Sequence, residues 1–348
     1  MHNIREERVE NMKTYNVAIL GATGAVGKQM LEVLMERSFP INELHLLASA
    51  RSAGKTMEVG GKTYTIEEAK ETSFAGIDIV LGAAENDVAM KFIPHAVKAG
   101  AVVIDNSSAY RLDETVPLVI PEVNPEAVKT HKGIIANPNC ATIIALVALQ
   151  PLHAYAGIKR LVVSTYQAVS GAGVNGIKEL DQQVMALGHN QNTEVNTIQY
   201  KIAYNLIPQI GGFNEAGYSS EEIKMQNEGR KILGKEDIQV NCTCVRVPVY
   251  RSHSESIMAE FENPIDVAKA KELIAQGQGV KLVDDPQNKV YPMPLDTSDQ
   301  DLVYVGRIRE DMSGHENALS LWCCGDQVRK GAATNAVQIA QLVIENDK

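Results

Sequence analysis

The sequence predicts a protein of two α/β domains: a doubly wound domain with a parallel sheet, then an α+β domain with a mainly antiparallel sheet. Its 348 residues exceed the usual size of one domain. Its composition, 45% hydrophobic and 22% charged, is typical of a globular protein. Up to Asn139 short β-branched runs alternate with amphipathic segments, whereas strand-like runs dominate the later sequence.

Residues 12–139 are assigned to the first domain, which a C-terminal helix within residues 326–348 is expected to complete. The predicted strands are YNVAIL, ELHLLASA, IDIVLGAA and AVVIDNSS, and the predicted helices are AVGKQMLEVLMER and DVAMKFIPHAVKAG. Each helix lies between two strands, as in a parallel sheet with crossover helices. The last segment, QVRKGAATNAVQIAQLVIEN, has the period of an amphipathic helix.

Residues 140–325 are assigned to the second domain. A helix is predicted from about residue 141 to 154 and another from about residue 174 to 187, with the strand KRLVVSTYQAV and the turn SGAG between them. Further strands are predicted at QVNCTCVRVPV, SESIMAEFE, DLVYVGRI and ALSLWCCG. This succession indicates a mainly antiparallel sheet with helices on one face.

Charge and hydropathy exclude several classes of partner. The net charge of -10 and the lack of a Lys/Arg block argue against nucleic acid or an anionic membrane as a ligand. No apolar run approaches the roughly 20 residues of a membrane span. The N-terminal stretch MHNIREERVENMK has no apolar core, so residues 1–11 are expected to be a frayed leader or to precede a start at Met12.

The five cysteines predict a reducing environment. Cys140, Cys242, Cys244, Cys323 and Cys324 are odd in number and lack the spacing of a disulfide framework. None of them forms a C-x-x-C pair, so no metal site is expected. A cytoplasmic location fits this pattern best.

A glycine-rich turn predicts a nucleotide site of the Rossmann type. GATGAVG, residues 21–27, follows the first strand and opens the first helix, where backbone N–H groups can bind a pyrophosphate. Gly21, Thr23, Gly24, Ala25 and Val26 are the predicted contacts. Thr23 stands where G-x-G-x-x-G has its middle glycine, so an ordinary strand-to-helix turn is the alternative.

The end of the second strand favours NADP over NAD. The segment ASARSAGK has no Asp or Glu for a ribose 2'-hydroxyl. Ser49, Arg51 and Ser52 offer hydroxyls and a guanidinium to a 2'-phosphate instead. The alternative for Arg51 is a solvated loop cation.

Cys140 lies at a predicted helix start, in NPNCAT. The helix dipole stabilises a thiolate in the first turn, and the Asn139 side chain with the Cys140 N–H can steady an oxyanion. A small buried cysteine is the alternative, and position alone does not decide between them.

Two later segments carry charged candidates. In CVRVPVYRSHSES, His253 is a candidate acid/base partner for a thiol, and Arg246 needs an anionic partner such as a ligand carboxylate. In YSSEEIKMQNEGRKIL, the spacing predicts that Glu222 closes a capping box. Glu221 and Lys224 share a helix face, and their spacing alone favours a surface ion pair.

Taken together, six segments resemble the bacterial aspartate-semialdehyde dehydrogenase family. They are GATGAVG, NSSAYR, NPNCAT, TYQAVSGAG, SSEEIKM and RVPVYRSHSES, in family order across almost the whole chain from about residue 14. The resemblance implies an NADP-dependent reduction of L-aspartyl-4-phosphate to L-aspartate 4-semialdehyde and phosphate, in lysine, threonine and methionine biosynthesis. It also implies that the second domain carries catalysis and dimerisation, in a homodimer or a tetramer of dimers.

The resemblance also implies roles for individual residues. Cys140 would be the acyl-forming nucleophile, His253 the acid/base and Gln167 the residue that orients the substrate. Arg246 would bind the α-carboxylate and Glu221 the α-ammonium.

For the phosphate and the nicotinamide the resemblance implies two further sets. The phosphate set is Arg111, Asn139 and Lys224. The nicotinamide set is Ser170, Gly171, Gly173 and Asn335. Arg251 is an additional cation near His253, to which the resemblance assigns no role.

Three alternatives remain open at this stage. N-acetyl-γ-glutamyl-phosphate reductase would share the Cys/His pair and the nucleotide turn, but its substrate has no free ammonium for Glu221. A non-catalytic NADP-sensing thiol switch would leave the anion-binding residues unexplained. A Cys/His hydrolase would leave the nucleotide fold unused.

Overall fold

A computed structural model describes residues 13–346, which divide into two compact units. The first unit contains the chain up to Pro117, residues 128–137 and residues from 336 onward; the second contains residues 118–127 and 138–335. The predicted leader, residues 1–11, lies outside the described residues. No helix in the described part of the chain is long and apolar enough to span a bilayer.

The unit boundaries differ from the predicted domain limits at residues 138–139, which join the second unit, and in two longer segments. Residues 118–127 and 326–335 both group with the second unit. The contacts explain why: the Lys330 ammonium lies 2.6 Å from Glu122 Oε2, and Asn335 Nδ2 donates to the Val119 carbonyl at 3.0 Å. A buried ion pair and a hydrogen bond from the Asn335 side-chain amide thus hold these two segments to each other.

The first unit contains a seven-stranded sheet in the order β3-β4-β2-β1-β5-β6-β7. All pairings are parallel except that of β3 with β4. The order reverses between β1 and β5, which confirms the doubly wound prediction. The strands are β1 (Tyr15–Leu20), β2 (Ile41–Ala48), β3 (Thr56–Val59), β4 (Lys62–Glu68), β5 (Ile79–Gly82), β6 (Val102–Asp105) and β7 (Ile134–Ala136).

Two helices of this unit match the predicted segments, α1 (Ala25–Glu36) and α2 (Asn86–Lys98). The β3–β4 hairpin was not predicted, although Gly60 and Gly61 both have the positive φ of a tight hairpin turn. Side chains from both helix and sheet, including Ala18, Val80 and Phe92, form the apolar core.

The second unit contains a six-stranded sheet in the order β11-β12-β13-β10-β8-β9. The three central pairings are antiparallel and the two outer ones are parallel, which confirms the mainly antiparallel prediction. The strands are β8 (Ile158–Gln167), β9 (Gln239–Arg246), β10 (His253–Phe261), β11 (Val280–Leu282), β12 (Val303–Glu310) and β13 (Ala318–Gly325).

The helices of this unit begin with α3 (Cys140–Ala156), which packs against β10, β12 and β13 and is buried along most of its length. It is followed by α4 (Gly173–Gly188), α5 (Ser220–Leu233), α6 (Val267–Gln276) and the single turn α7 (Pro294–Thr297). The predicted C-terminal helix is in fact a π-helical turn, Arg329–Ala333, that leads into α8 (Thr334–Asn346). Wide turns of this kind often occur at functional sites.

Candidate active site

Three of the predicted site residues of the second unit lie at neighbouring ends of three strands. Gln167 and Arg246 are the paired last residues of β8 and β9, and His253 is the first residue of β10. Ser254 pairs with Tyr166, so His253 is next to Gln167 across the β8–β10 pairing. Because paired residues project to the same face of a sheet, these three side chains form one polar row.

The protonation state of His253 follows from its backbone partner. The ring is fully buried, and the Ala168 N–H donates to Nδ1 at 3.1 Å. A backbone N–H can only donate, so the hydrogen of the neutral ring is on Nε2. Burial, together with the Arg246 guanidinium, lowers the His253 pKa to about 3, although Glu221 opposes this shift. The ring is therefore neutral at physiological pH.

Glu221 is the charged centre of the cluster. Its Oε1 accepts hydrogen bonds from Asn139 Nδ2 at 2.8 Å and Gln167 Nε2 at 3.2 Å, and its Oε2 lies 3.0 Å from Lys224 Nζ. Burial alone would raise the Glu221 pKa, but the Lys224 charge and these three hydrogen bonds lower it to about 2. The Glu221–Lys224 ion pair that the spacing predicts is present, but its Glu221 carboxylate is buried rather than at the surface.

Cys140 is the first residue of α3, and its thiol is partly exposed whereas the other four cysteines are buried. Asn139 caps the helix: its Oδ1 accepts from the N–H groups of Ala141 at 3.0 Å and Thr142 at 3.3 Å. The Asn139 side chain therefore joins the helix that carries the thiol to the Glu221 carboxylate. The helix N-terminus favours a thiolate at this position.

Arg246 is almost fully buried. Its Nη1 donates to the Ala168 carbonyl at 2.7 Å. Burial lowers the Arg246 pKa, while the nearby Glu221 and Cys140 act in the opposite direction. A Cβ at Gly171 would lie only 2.7 Å from Nη1, so a side chain there would displace the guanidinium.

Two residues of this cluster were not predicted. Glu228 Oε2 accepts from the Asn139 backbone N–H at 2.6 Å, and Thr165 Oγ1 donates to Gln167 Oε1 at 2.9 Å. Glu228 is seven positions after Glu221 on the same helix, so its helical spacing was a usable signal. Thr165 is two positions before Gln167 and thus on the same strand face.

A second row of buried side chains lies two positions further along each strand. It runs Cys323–Glu255–Thr165–Cys244 across β13, β10, β8 and β9, and all four side chains are buried. Neither Glu255 carboxyl oxygen has a hydrogen-bond partner among the described residues. Burial, followed by the proximity of Cys244, raises the Glu255 pKa well above its usual value. Burial without a hydrogen-bond donor thus favours the protonated form of Glu255.

The glycine-rich turn of the first unit has the backbone expected of an anion site. Gly21 has φ of +93°, and a Cβ there would lie 2.5 Å from the Ala83 carbonyl oxygen. Gly24 is the N-cap of α1, and no side chain caps that helix; Ala25 and Val26 are its first residues. Thr23 is exposed. The first-turn N–H groups of α1 are therefore suited to a pyrophosphate.

Ser49, Arg51 and Ser52 lie in the turn directly after β2, next to the glycine-rich turn because β1 and β2 are parallel neighbours. Arg51 is exposed, and the Ser52 N–H donates to the Ser49 carbonyl at 2.9 Å. The turn has no carboxylate, so these residues fit a 2'-phosphate better than a free 2'-hydroxyl.

The residues expected near the nicotinamide lie in the second unit and differ in their burial and contacts. Ser170 Oγ accepts from Gln327 Nε2, Gly171 is exposed, and Gly173, with φ of +76°, opens α4. The Asn335 amide is fully buried: its Oδ1 accepts from Lys330 Nζ at 3.0 Å. These contacts give Asn335 a structural function in linking chain segments.

Arg111 and Arg251 are both held by local contacts. In the first unit, Arg111 Nε donates to the Asn137 carbonyl at 2.9 Å and its Nη2 to the Asn106 carbonyl at 2.8 Å. In the second unit, Arg251 pairs with Asp326 at 2.5 Å and Asp299 at 3.4 Å. Arg251, which the sequence left without a role, thus anchors the segment before the π-helical turn. Within residues 13–346, no cluster of His, Cys, Asp and Glu has the arrangement of a metal site.

Comparison with known proteins decides the family. Residues 16–131 match the NAD binding domain of semialdehyde dehydrogenases, and residues 149–330 match their dimerisation domain. Aspartate-semialdehyde dehydrogenase from Synechocystis is 51% identical over 94% of this chain and 97% of its own length. The chain belongs to the aspartate-semialdehyde dehydrogenase family. The nucleotide turn and the Cys140 cluster are therefore parts of an enzyme of this family.

Two solved structures of aspartate-semialdehyde dehydrogenases share the fold. Enzyme II from Vibrio cholerae, complexed with ASA, has a TM-score of 0.93 and 47% identity, and the match covers 96% of this chain and 99% of that chain. The Candida albicans enzyme, solved with NADP, has a TM-score of 0.74 and 27% identity over 95% of this chain and 98% of that chain. The predicted family resemblance is confirmed.

Proposed function

We propose that this chain catalyses the reversible, NADP-dependent reductive dephosphorylation of L-aspartyl-4-phosphate to L-aspartate 4-semialdehyde, in lysine, threonine and methionine biosynthesis. The observation that carries the proposal is the hydrogen-bonded connection within one unit from the helix start at Cys140, through Asn139, Glu221 and Gln167, to the neighbouring His253. A partly exposed thiol at a helix N-terminus is suited to nucleophilic attack.

Recognition of the amino acid is assigned to two buried charged residues. Arg246 binds the α-carboxylate, since a buried guanidinium offers two parallel N–H donors. Glu221 binds the α-ammonium, since its carboxylate stays ionised. An N-acetylated substrate would leave the Glu221 charge without a cationic ligand group, and this disfavours N-acetyl-γ-glutamyl phosphate. Lys224 and Asn139, with Arg111, remain the proposed phosphate set.

The reaction begins when the Cys140 thiolate attacks the acyl carbon of aspartyl phosphate. The carbon–oxygen bond to phosphate breaks, inorganic phosphate leaves, and Cys140 holds the aspartyl group as a thioester. NADPH, when bound, supplies a hydride. The carbon–sulfur bond then breaks, which releases the aldehyde and restores the thiolate. Phosphate takes up the one proton consumed, so the cycle balances without a proton stored on the protein.

His253 acts on the oxygen of the reacting carbonyl in this proposal. The predicted acid/base role requires a ring that gains a proton, and burial and the Ala168 N–H both favour the neutral ring. A neutral ring with its hydrogen on Nε2 donates a hydrogen bond to the oxyanion that develops on the substrate carbon.

A direct assay tests the proposal. Purified protein is mixed with L-aspartate 4-semialdehyde and NADP, with and without inorganic phosphate, and nicotinamide absorbance is followed. We expect NADP reduction only when phosphate is present. Equal turnover of N-acetylglutamate 4-semialdehyde would favour the alternative reductase, and binding of NADP without any turnover would favour a thiol switch.

We further infer that the protein works in the cytoplasm as a homodimer, or as a tetramer built from dimers. The segment after α4 carries large exposed apolar side chains, Tyr200, Tyr204, Leu206 and Phe213, within the part that matches the dimerisation domain. Such a surface favours burial against a second copy. Light scattering should give at least twice the 37.9 kDa mass of one chain, and Tyr204→Glu should lower the measured mass.

A further inference from the structure

Gly331 lies directly against the residue that carries the proposed nucleophile. It is the middle residue of the π-helical turn Arg329–Ala333, and it is buried. A Cβ at Gly331 would lie 2.9 Å from the Cβ of Cys140 and 3.3 Å from its Cα. Carbon atoms in ordinary contact are about 3.5–4.0 Å apart. The lack of a side chain at position 331 therefore lets the turn pack this closely on Cys140.

The backbone of the turn does not itself require a glycine at this position. Gly331 does not have a positive φ, so its conformation is open to other residues. Its N–H donates to the Asp326 carbonyl at 3.0 Å, the five-residue spacing of a π-helix. Glycine is normally less stable than alanine in helical backbone. The close approach to Cys140, and not the turn conformation, thus explains a glycine here.

The turn is held in place by the two charged residues that precede Gly331. The Arg329 guanidinium pairs with Asp301, with Nε and Oδ1 2.8 Å apart. The buried Lys330 ammonium pairs with Glu122, with Nζ and Oε2 2.6 Å apart. Breaking a buried ion pair is strongly destabilising, so a movement of the turn is costly.

Cys140 has fewer constraints of this kind. It is the first residue of α3, and the first N–H groups of a helix have no acceptor within the helix. Its side chain ends at a thiol that is partly exposed. A methyl group at position 331 would therefore displace the Cβ of Cys140, by about half an ångström, rather than the turn.

We propose that Gly331 is a positioning residue for Cys140, whose thiol the π-helical turn holds where it can reach the acyl carbon because position 331 has no side chain. The inference rests on the proposed function for the role of that thiol. A nucleophile attacks within a narrow range of distances and angles, and a misplacement of 1 Å can lower a rate about 100-fold. A side chain at position 331 should thus slow the attack and leave substrate binding unchanged.

The first test compares the steady-state kinetics of two variants of the full-length enzyme. Gly331→Ala should lower kcat for phosphate-dependent NADP reduction about tenfold. The KM for aspartate semialdehyde should change less than about twofold. Apart from its chain neighbours, the atoms nearest to the new methyl group belong to Cys140 and Gln327, and neither residue is assigned to binding the semialdehyde.

Gly229→Ala is the matched control. Gly229 is also buried in a helix and has no positive φ, but a Cβ there would meet no atom outside its own helix within 4 Å. This variant should keep the kcat of the wild type. A Gly331→Ala variant with the kcat of the wild type would overturn the proposal.

A second test asks whether Gly331 acts through the Cβ of Cys140, and it needs no substrate. Gly331→Ala is combined with Cys140→Ser, which keeps that Cβ, and with Cys140→Gly, which removes it. We expect the added methyl group to lower the Tm by about 2–4 °C in the wild type and in Cys140→Ser. In Cys140→Gly the loss should be less than about 1 °C. An equal loss of Tm in all three backgrounds would contradict the proposal.

The two tests distinguish this proposal from the proposed function. If the wild type fails the phosphate-dependent assay while the loss of Tm depends on the Cβ of Cys140, the proposed function is wrong and Gly331 still positions the thiol. If the wild type is active and either the loss of kcat or the dependence on that Cβ is absent, Gly331 is not a positioning residue.

Discussion

Glu221 and Glu255 are both buried in the second unit, yet their pKa values shift in opposite directions. Glu221 faces the Lys224 ammonium and two amide groups, and its pKa falls to about 2. Glu255 has no hydrogen-bond partner among the described residues, and burial raises its pKa well above the usual range. The comparison teaches that the donors around a buried carboxyl, rather than its depth, decide whether it is ionised.

The two regions around these glutamates differ in the same way. The row with His253, Gln167 and Arg246 joins the Glu221 network through hydrogen bonds from Gln167 to Glu221 and from Arg246 to the backbone. The row with Glu255 lies among buried cysteines and supports the first row through Thr165. The first region therefore contains an ionised carboxylate with several donors, whereas the second contains a carboxyl group with no hydrogen-bond partner among the described residues.

The largest expected effect distinguishes the partly exposed Cys140 thiol from the four buried thiols. Cys140→Ser should lower phosphate-dependent NADP reduction at least about a thousandfold, since a hydroxyl is a much weaker nucleophile than a thiolate at neutral pH. Binding of NADP, measured by fluorescence titration, should survive. Cys242→Ala, which changes a buried cysteine, serves as the control and should retain turnover. Turnover in Cys140→Ser would remove the covalent mechanism.

The two glutamates give the next effect. Glu221→Gln removes a negative charge from the proposed ammonium site, and the KM for aspartate semialdehyde should rise about 10- to 100-fold, in line with the loss of a charged hydrogen bond. Glu255→Gln replaces a neutral acid by a neutral amide and should change the KM by less than about twofold. Steady-state kinetics of both variants give the two KM values. Equal changes in KM would show that the two glutamates do not differ in their effect on substrate binding.

Arg246→Lys should raise the KM for the semialdehyde about tenfold with little change in kcat. A lysine keeps the charge but replaces the two-pronged guanidinium by a single ammonium, so part of the carboxylate binding is lost. The KM for phosphate is the internal control and should not move. An unchanged semialdehyde KM would mean that Arg246 binds no carboxylate.

The smallest effect is on stability and its pH dependence. The folded chain keeps the Glu255 proton at pH values where the unfolded chain, with a pKa of 4.5, has lost it. The contribution of Glu255 to the free energy of unfolding is therefore complete below pH 4.5 and declines as pH rises toward its folded-state pKa. Glu255→Gln does not titrate, so its Tm advantage over wild type should grow from about pH 5 to pH 8. A constant Tm difference would show that Glu255 is ionised.

The order of strands and helices could be predicted closely, because it depends on local hydrophobic periods and on caps. Helix α3 begins at Cys140, within one residue of the predicted start, and Ser219 and Glu222 form the predicted capping box. Cys140 was singled out for the same reason, since a helix start is visible in a few consecutive residues. The β3–β4 hairpin was missed, although its Gly60–Gly61 turn and the alternation of apolar with polar residues in both strands were usable signals.

By itself, then, the sequence determined the two-unit α/β fold, the nucleotide turn, the helix that carries Cys140 and the family. Only the tertiary structure decided the directions in which the pKa values of Glu221, Glu255 and His253 shift and the contacts of Thr165 and Glu228. These depend on partners that are far apart in the chain: Asn139 reaches Glu221 and Glu228 on α5, and Ala168 reaches His253 on β10. A pKa and a hydrogen-bond direction are set by the neighbours within a few ångströms, and folding brings those neighbours together.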